Sequence, residues 1–424
     1  MSFQTGLSGL NSASQNLDVI GNNIANANTV GMKSSRGEFA DLVASAIGAG
    51  GGSSMAGIGT AVATVSQNFS QGNVNITGNS LDVAINGGGF YQLTKTDGST
   101  AYSRAGQFKL DKDGNIITNT GSFLMGYPTD VAGNTTSFTT SKLSIPAGAP
   151  IAAKATSTIT AEFNLDARAP LPGTPSTTTT ATQYGTSLTA YDSQGVATPV
   201  SLYFVKTAQD TWGAYDNAAA AQAAVTAVSA GAPTTGEVLT MHFNTDGSLN
   251  TQTTTNPATI TLSTDNLLIG APATPGKFTA TIDVSKATQY GVNFAISSLS
   301  QDGYTSGEFT GLSIDSKGVI TTRYSNGQTQ KNGGMIALAD FRNVQGLEPT
   351  GAGEYQESFK SGAAVLGQPT VGRFGELRSG AVEESNVDLT AELVNMMTAQ
   401  RNYQANAQTI KTQDQIMSTL VNLR

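Results

Sequence analysis

The two ends of this chain carry the same apolar rhythm, and nothing between them does. At the N-terminus Phe3, Leu7, Leu10, Leu17 and Ile24 fall on the alternating 4- and 3-residue steps of a heptad, with Ser14 and Gly21 on the skipped steps. At the C-terminus Leu389, Leu393, Met396, Tyr403, Ala407, Ile410, Met417 and Val421 follow the same spacing, interrupted by Gln400 and Asp414. Rods of about 22 and about 36 residues would measure roughly 33 and 54 Å. Both stripes are narrow and their opposite faces are Asn, Gln, Ser and Thr, so neither helix buries enough apolar surface to stand alone. The pattern predicts that the ends pair as a coiled-coil-like inner domain and order fully only against neighbouring copies. Asn386 or Asp388 is placed to cap the second helix.

Between the ends the chain alternates and turns often, which predicts a mainly β protein with α-helical termini. Asp111-Lys112-Asp113-Gly114, Asn244-Thr245-Asp246-Gly247 and Asp315-Ser316-Lys317-Gly318 share one plan, with Gly where a tight turn needs positive φ. The first differs from a calcium loop, because its twelfth position is Ser122 where the metal needs Glu. Asn326-Gly327 predicts another hairpin turn. Residues 31–72 read as a connector, with a flexible run from Gly48 to Ser54 and no Gly-Lys-Ser/Thr to make a phosphate loop. A stretch rich in Thr, Ala and Pro, 146–299, reads as a second β domain inserted into the first, with a short helix at Ala218 to Ala224.

Composition narrows the function. Charged residues are 12%, Gly numbers 48, and the formal net charge is -8, so no basic patch exists for nucleic acid. No Lys or Arg precedes Lys33, which argues against a cleaved signal peptide, and no apolar run approaches the roughly 20 residues a bilayer span needs. With Cys at 0, thiolate metal sites, Cys nucleophiles and Cys-based crosslinks between subunits are excluded. His242 is the only histidine and sits in a predicted strand as a structural residue. Glu383 and Glu384 read as carboxylates complementing a helix start. Trp212, with Tyr203, Phe204 and Tyr215, alternates like a β core; sugar stacking is its competing reading. The chain therefore offers no catalytic constellation, no metal site and no call for a cofactor, and it is not expected to be an enzyme.

Four blocks carry a resemblance. Asn22-Asn23-Ile24-Ala25-Asn26-Ala27-Asn28-Thr29-Val30-Gly31-Met32-Lys33 resembles the N-terminal signature of the flagellar rod and hook axial proteins, although Met32 stands where that family usually has Phe or Tyr. Ser80 to Phe90 and Tyr102 to Phe108 resemble its next blocks, and Glu384 to Leu389 with Gln400 to Asn406 its C-terminal one. Its signature positions here are Asn22, Asn23, Ala25, Asn26, Thr29, Gly31, Asn386 and Asn406. Three further blocks, Ala161 to Ala167, Tyr191 to Gly195 and Ser300 to Gly307, are similar to the hook members more than to the shorter rod members.

The resemblance implies an extracellular homopolymer of the flagellar hook, exported without a cleaved signal peptide through the type III export apparatus and meeting rod, hook cap and hook–filament junction proteins. It would form a curved tube acting as a universal joint between rod and filament. The helical termini 1–30 and 385–424 would be the inner domain, 31–72 and 373–384 the connector, 73–145 and 300–372 the middle β domain, and 146–299 the outer one. Phe3, Leu7, Leu10, Leu17, Ile24, Leu389, Leu393, Met396, Tyr403, Ile410, Met417 and Val421 are the expected assembly interface. Gln400 and Asp414 at core-type steps would fix register. Another axial protein of the flagellum, and more distantly a carbohydrate-binding β protein, are the alternatives. No membrane insertion and no nucleic acid are expected.

Overall fold

The computed structural model describes residues 2–43, 57–145, 150–172, 183–251, 258–263 and 277–422. The side chains of Phe3 and Val421, and the run Gly48 to Ser54, lie outside the described residues. Three α-helices stand among strands and turns in the described residues: α1 (Ser2–Ala25), α2 (Ala218–Ser229) and α3 (Leu389–Asn422). The architecture is mainly β with α-helical termini, and α1 packs along α3.

The chain divides into two compact units. The first comprises 1–148, 310–323 and 329–424; the second comprises 149–309 and 324–328. In the first unit the predicted connector contains more structure than its composition suggested. Ser35–Val43 (β1) and Gly57–Gln67 (β2) form an antiparallel hairpin, with Gly37 opposite Val65 and Asp41 opposite Thr60. A continuous network of short antiparallel strands follows. Phe90–Thr94 sits at its centre, pairing with Thr100–Ser103, Phe123–Tyr127 and, from far along the sequence, Leu338–Asp340. The core beneath it is aromatic: Phe90, Tyr102, Phe341 and Tyr355 are buried together, with Phe69 against them. Tyr102 meets Phe341 edge-on at 4.8 Å between ring centroids, the arrangement that ring quadrupoles favour.

The second unit packs two sheets on one core. In one, Thr158–Asp166 is flanked by Lys277–Asp283 and Thr288–Tyr290 in parallel and by Ala295–Gln301 antiparallel. In the other, Gln183–Tyr191, Ala197–Ala208, Thr211–Tyr215 and Leu239–His242 run as an antiparallel meander. Period-2 alternation sends Ile159, Phe163, Leu165, Leu202, Phe204, Trp212 and Met241 into the shared interior. Trp212 is wholly buried and its indole N–H donates to Gln289 Oε1 at 3.0 Å, so it is a core residue and no sugar platform. Phe204 shares that core, whereas Tyr215 is buried in a separate cluster with Val205 and with Ala221, Ala224 and Val225 of α2, and Tyr203 packs against that cluster. His242 lies on the last strand of the meander, its Nδ1 3.2 Å from Thr211 Oγ1. The Ala-rich run becomes α2, longer than predicted and capped by Asn217 Oδ1 on the Ala220 N–H.

The turn readings are visible as conformations. Gly114, Gly247, Gly318 and Gly327 all have positive φ, between 79° and 83°. Asp111 Oδ1 accepts from the N–H groups of Asp113 and Asn115, the local bond that makes Asp a turn former.

Candidate assembly interface

The close approach of the terminal helices is made by small residues that a heptad count passes over. Gly6, Gly9, Ala13 and Ile20 recur at 3-, 4- and 7-residue steps on one face of α1. A Cβ added at Gly6 would lie 3.1 Å from Ile410 Cγ1, and one at Gly9 would lie 2.9 Å from Asn406 Oδ1. Ala13 and, on α3, Ala399 are buried. Small residues let the backbones come together where larger ones would hold them apart. The adjacent face of α1 meets the hairpin: Ser8 Oγ accepts from the Thr60 N–H, and Ser12 Oγ donates to the Thr60 carbonyl.

The expected interface residues divide into two groups. Leu10, Leu17, Ile24, Met396 and Ile410 are half-buried, whereas Leu7, Leu389, Leu393, Tyr403 and Met417 are exposed. Val394, Met397 and Ile416, outside the heptad count, are exposed as well. Gln400 and Asp414 also face outward on α3. A long helix thus keeps one face on α1 and leaves a row of large apolar side chains uncovered.

The signature residues work as backbone clamps. Asn23 bonds Ser35 in both directions, its Oδ1 accepting from the Ser35 N–H at 2.9 Å and its Nδ2 donating to the Ser35 carbonyl at 2.7 Å. Asn26 Nδ2 donates to Asn22 Oδ1 at 2.7 Å and to its carbonyl, and Thr29 Oγ1 donates to Asn26 Oδ1. Asn386 Oδ1 accepts from the Ser34 N–H at 2.8 Å while its amide donates to the carbonyls of Asn68 and Ser70. Asp388, rather than Asn386, caps α3 by accepting from the Thr390 N–H. Gly31 has φ 72°, and a Cβ there would sit 2.6 Å from the Ala105 nitrogen, so no other residue fits. Asn406 lies against Gly9, and Ala25 ends α1.

Between these clamps is a buried ionic cluster that the sequence reading missed. Glu383 does not complement a helix start; it ends the strand Ala381–Glu383 and is fully buried. One carboxylate oxygen takes Lys33 Nζ at 2.5 Å and the Gly72 N–H at 2.9 Å, and the other takes Arg104 Nη1 at 3.2 Å. Lys33 also donates to the Ser70 carbonyl, and Arg104 to the Gly87 carbonyl. Burial lowers the Lys33 amine from its ordinary value, opposed by the hydrogen bond and charge of Glu383. One anion thus serves two cations, and removing it would strand both in a desolvated site. The signal in the sequence was slight: a lone Lys and a lone Arg inside otherwise uncharged blocks.

Sequence comparisons fit this arrangement. Profiles described as Flagella basal body rod protein, Flagellar hook protein FlgE/F/G D1 domain, Flagellar basal body protein FlaE D2 domain and Flagellar basal body rod FlgEFG protein C-terminal match residues 3–33, 84–161, 164–304 and 378–423. The flagellar hook proteins FlgE of Salmonella typhimurium and Escherichia coli are each 41% identical to this chain, with all of both sequences covered. The chain belongs to the flagellar hook protein FlgE family. The corresponding protein of Rhizobium meliloti is 34% identical, covering the whole chain and 98% of the relative. The crystal structure of Helicobacter pylori flagellar hook protein FlgE2 shares the fold, with a TM-score of 0.50 at 15% identity over 73% of this chain and 100% of that one. The FlgE family is structural and non-enzymatic, and its members are hook subunits. The Asn22–Lys33 and Asn386–Asn406 clamps fall inside the two rod-type profiles, and the Trp212 core inside the D2 profile.

Proposed function

We propose that this chain polymerises through its terminal helices into a curved, flexible extracellular tube, the hook. The tube would act as a universal joint carrying torque from rod to filament. The observation that supports this most directly is the face of α3 turned away from α1, where Leu389, Leu393, Val394, Met397, Tyr403 and Met417 stand exposed. An isolated chain leaves that row in water, and neighbouring copies would remove it. In this reading 1–30 with 385–424 is the inner tier, 31–72 with 373–384 the connector, 73–145 with 300–372 the middle tier and 146–299 the outer tier. Phe3, Leu7, Leu10, Leu17, Ile24, Met396, Ile410 and Val421 complete the interface. Export through the type III apparatus, and contact with the rod, the hook cap and the hook–filament junction proteins, belong to the same proposal.

The test is electron microscopy of the full chain induced to polymerise, beside a version lacking residues 1–24. Curved tubes from the full chain and none from the truncation are expected. Straight tubes would favour a rod subunit, and equal monomers from both versions would overturn the proposal.

A further inference from the structure

The loop between Glu354–Gln356 and Val365–Gly367 presents Phe359 with its ring fully exposed, at 104% relative accessibility. That loop is rigidly held. Ser358 Oγ donates to the Gly346 carbonyl at 2.6 Å, and Ser361 Oγ both accepts from the Ser358 N–H and donates to its carbonyl. Asn343 Nδ2 donates to the Lys360 carbonyl at 3.1 Å. A Cβ on Gly346 would come within 2.4 Å of the Ser361 nitrogen, so the loop lies directly on that turn. These bonds order the backbone that carries the ring, and aromatic side chains are enriched at the cores of protein interfaces. Further along the chain Val365, Leu366 and Val371 are exposed as well. The strand Val365–Gly367 pairs only with Leu338–Asp340 among the described residues, leaving its other edge open. Lys360 has no ionic partner among the described residues.

The hairpin of the same unit has the opposite character. Phe39 and Asp41 are two residues apart on β1 and share a face with Val65, which lies opposite Gly37. Phe39 and Val65 are 43% and 49% exposed, and Asp41 is exposed with no partner for its carboxylate among the described residues. β1 pairs only with β2 among the described residues, so beyond Ser35, whose backbone Asn23 holds, its outer edge has no strand partner.

We propose that β1 of one copy docks on the Phe359–Gly367 segment of a second copy, edge to edge, with Asp41 facing Lys360. Two different patches of one chain that fit each other give a head-to-tail contact, which does not end at a two-fold dimer and repeats into an open helical filament wherever its rotation does not close a ring. Open edges supply the backbone bonds and the apolar residues supply burial. The pair of opposite charges selects the partner. The inference deepens the polymer proposal and rests on it.

The test compares critical concentrations for polymerisation of the full-length chain. Asp41→Lys and Lys360→Asp alone should each raise it about tenfold or more, by setting like charges together. The double variant, which restores opposite charges in exchanged places, should return close to the unaltered chain. Because the chain has no cysteine, Asp41→Cys copies mixed with Lys360→Cys copies should form a disulfide-linked dimer on oxidation, and neither variant alone should. The crosslink decides where the swaps disagree. No crosslinked dimer in a mixture that polymerises would overturn this contact while leaving the polymer proposal intact. Absence of polymer from the unaltered chain would count against the polymer proposal itself.

Discussion

The second unit and the terminal segments of the first illustrate two ways to hold a chain together. The second unit closes its own core: Trp212, Phe204, Phe163 and Met241 are almost wholly inaccessible, and two sheets cover them from either side. The terminal segments close with polar devices. Asparagine side chains replace missing backbone partners, three buried charges share one small volume, and large apolar side chains remain in water on α3. One region is finished as a monomer, and the other has apolar surface still to bury.

The contrast breaks most sharply at Glu383. Glu383→Gln leaves Lys33 and Arg104 desolvated beside a neutral amide and should cost the first unit about 3–5 kcal/mol. Hydrogen exchange should show lost protection at 31–34 and 68–72 with no change across 158–166; uniform loss would mean the two units do not respond separately. Trp212→Ala is the converse. It should cost the second unit about 3–5 kcal/mol through cavity and transfer terms, lowering its denaturant midpoint while protection around Glu383 stays as it was.

Gly9→Leu should loosen the helix seam by about 1–3 kcal/mol, since even its Cβ would press on the Asn406 amide at 2.9 Å. Circular dichroism should register a loss of helix without loss of strand signal, and an unchanged helical signal would mean the seam tolerates the bulk. The smallest effect expected is one of pH, at Asp302 in the second unit. Burial alone would raise its carboxyl, but the Lys154 and Ser157 side chains and the Thr158 and Ser157 N–H groups outweigh burial and hold it well below the carboxylate range. A depressed folded value means the stabilisation is present above the ordinary pKa of about 3.9 and is lost as pH falls through the folded value. Asp302→Asn should therefore flatten the acid limb of the second unit's stability curve while leaving that of the first unit alone.

How much was legible depended on the range of the interaction. The Asp-x-x-Gly turns were readable because the carboxylate and the N–H groups it binds are two and four residues apart. Helical ends were readable from their periodicity, and the Trp212 core from alternation. The hairpin within 31–72 was not, because its strands mix Gly, Ala, Ser and Thr with few large apolar residues, and one is bulged, with Glu38 and Phe39 facing Thr64 and Val62. The small-residue contact between α1 and α3 was not legible, because a heptad count follows large side chains. The close contact runs over Gly6, Gly9 and Ala13, where packing depends on having almost no side chain.

The sequence by itself determined the terminal helices, the β interior, the turns and the absence of thiol chemistry, since each follows from residues near one another or from composition. Tertiary structure alone decided that Lys33 and Glu383, 350 residues apart, become partners inside the protein. It also decided that Asn386 serves as a clamp and Asp388 as the cap. The physical reason is desolvation. What a charged or amide group costs or contributes depends on which groups surround it once water has gone, and those neighbours are assembled by the fold from distant parts of the chain.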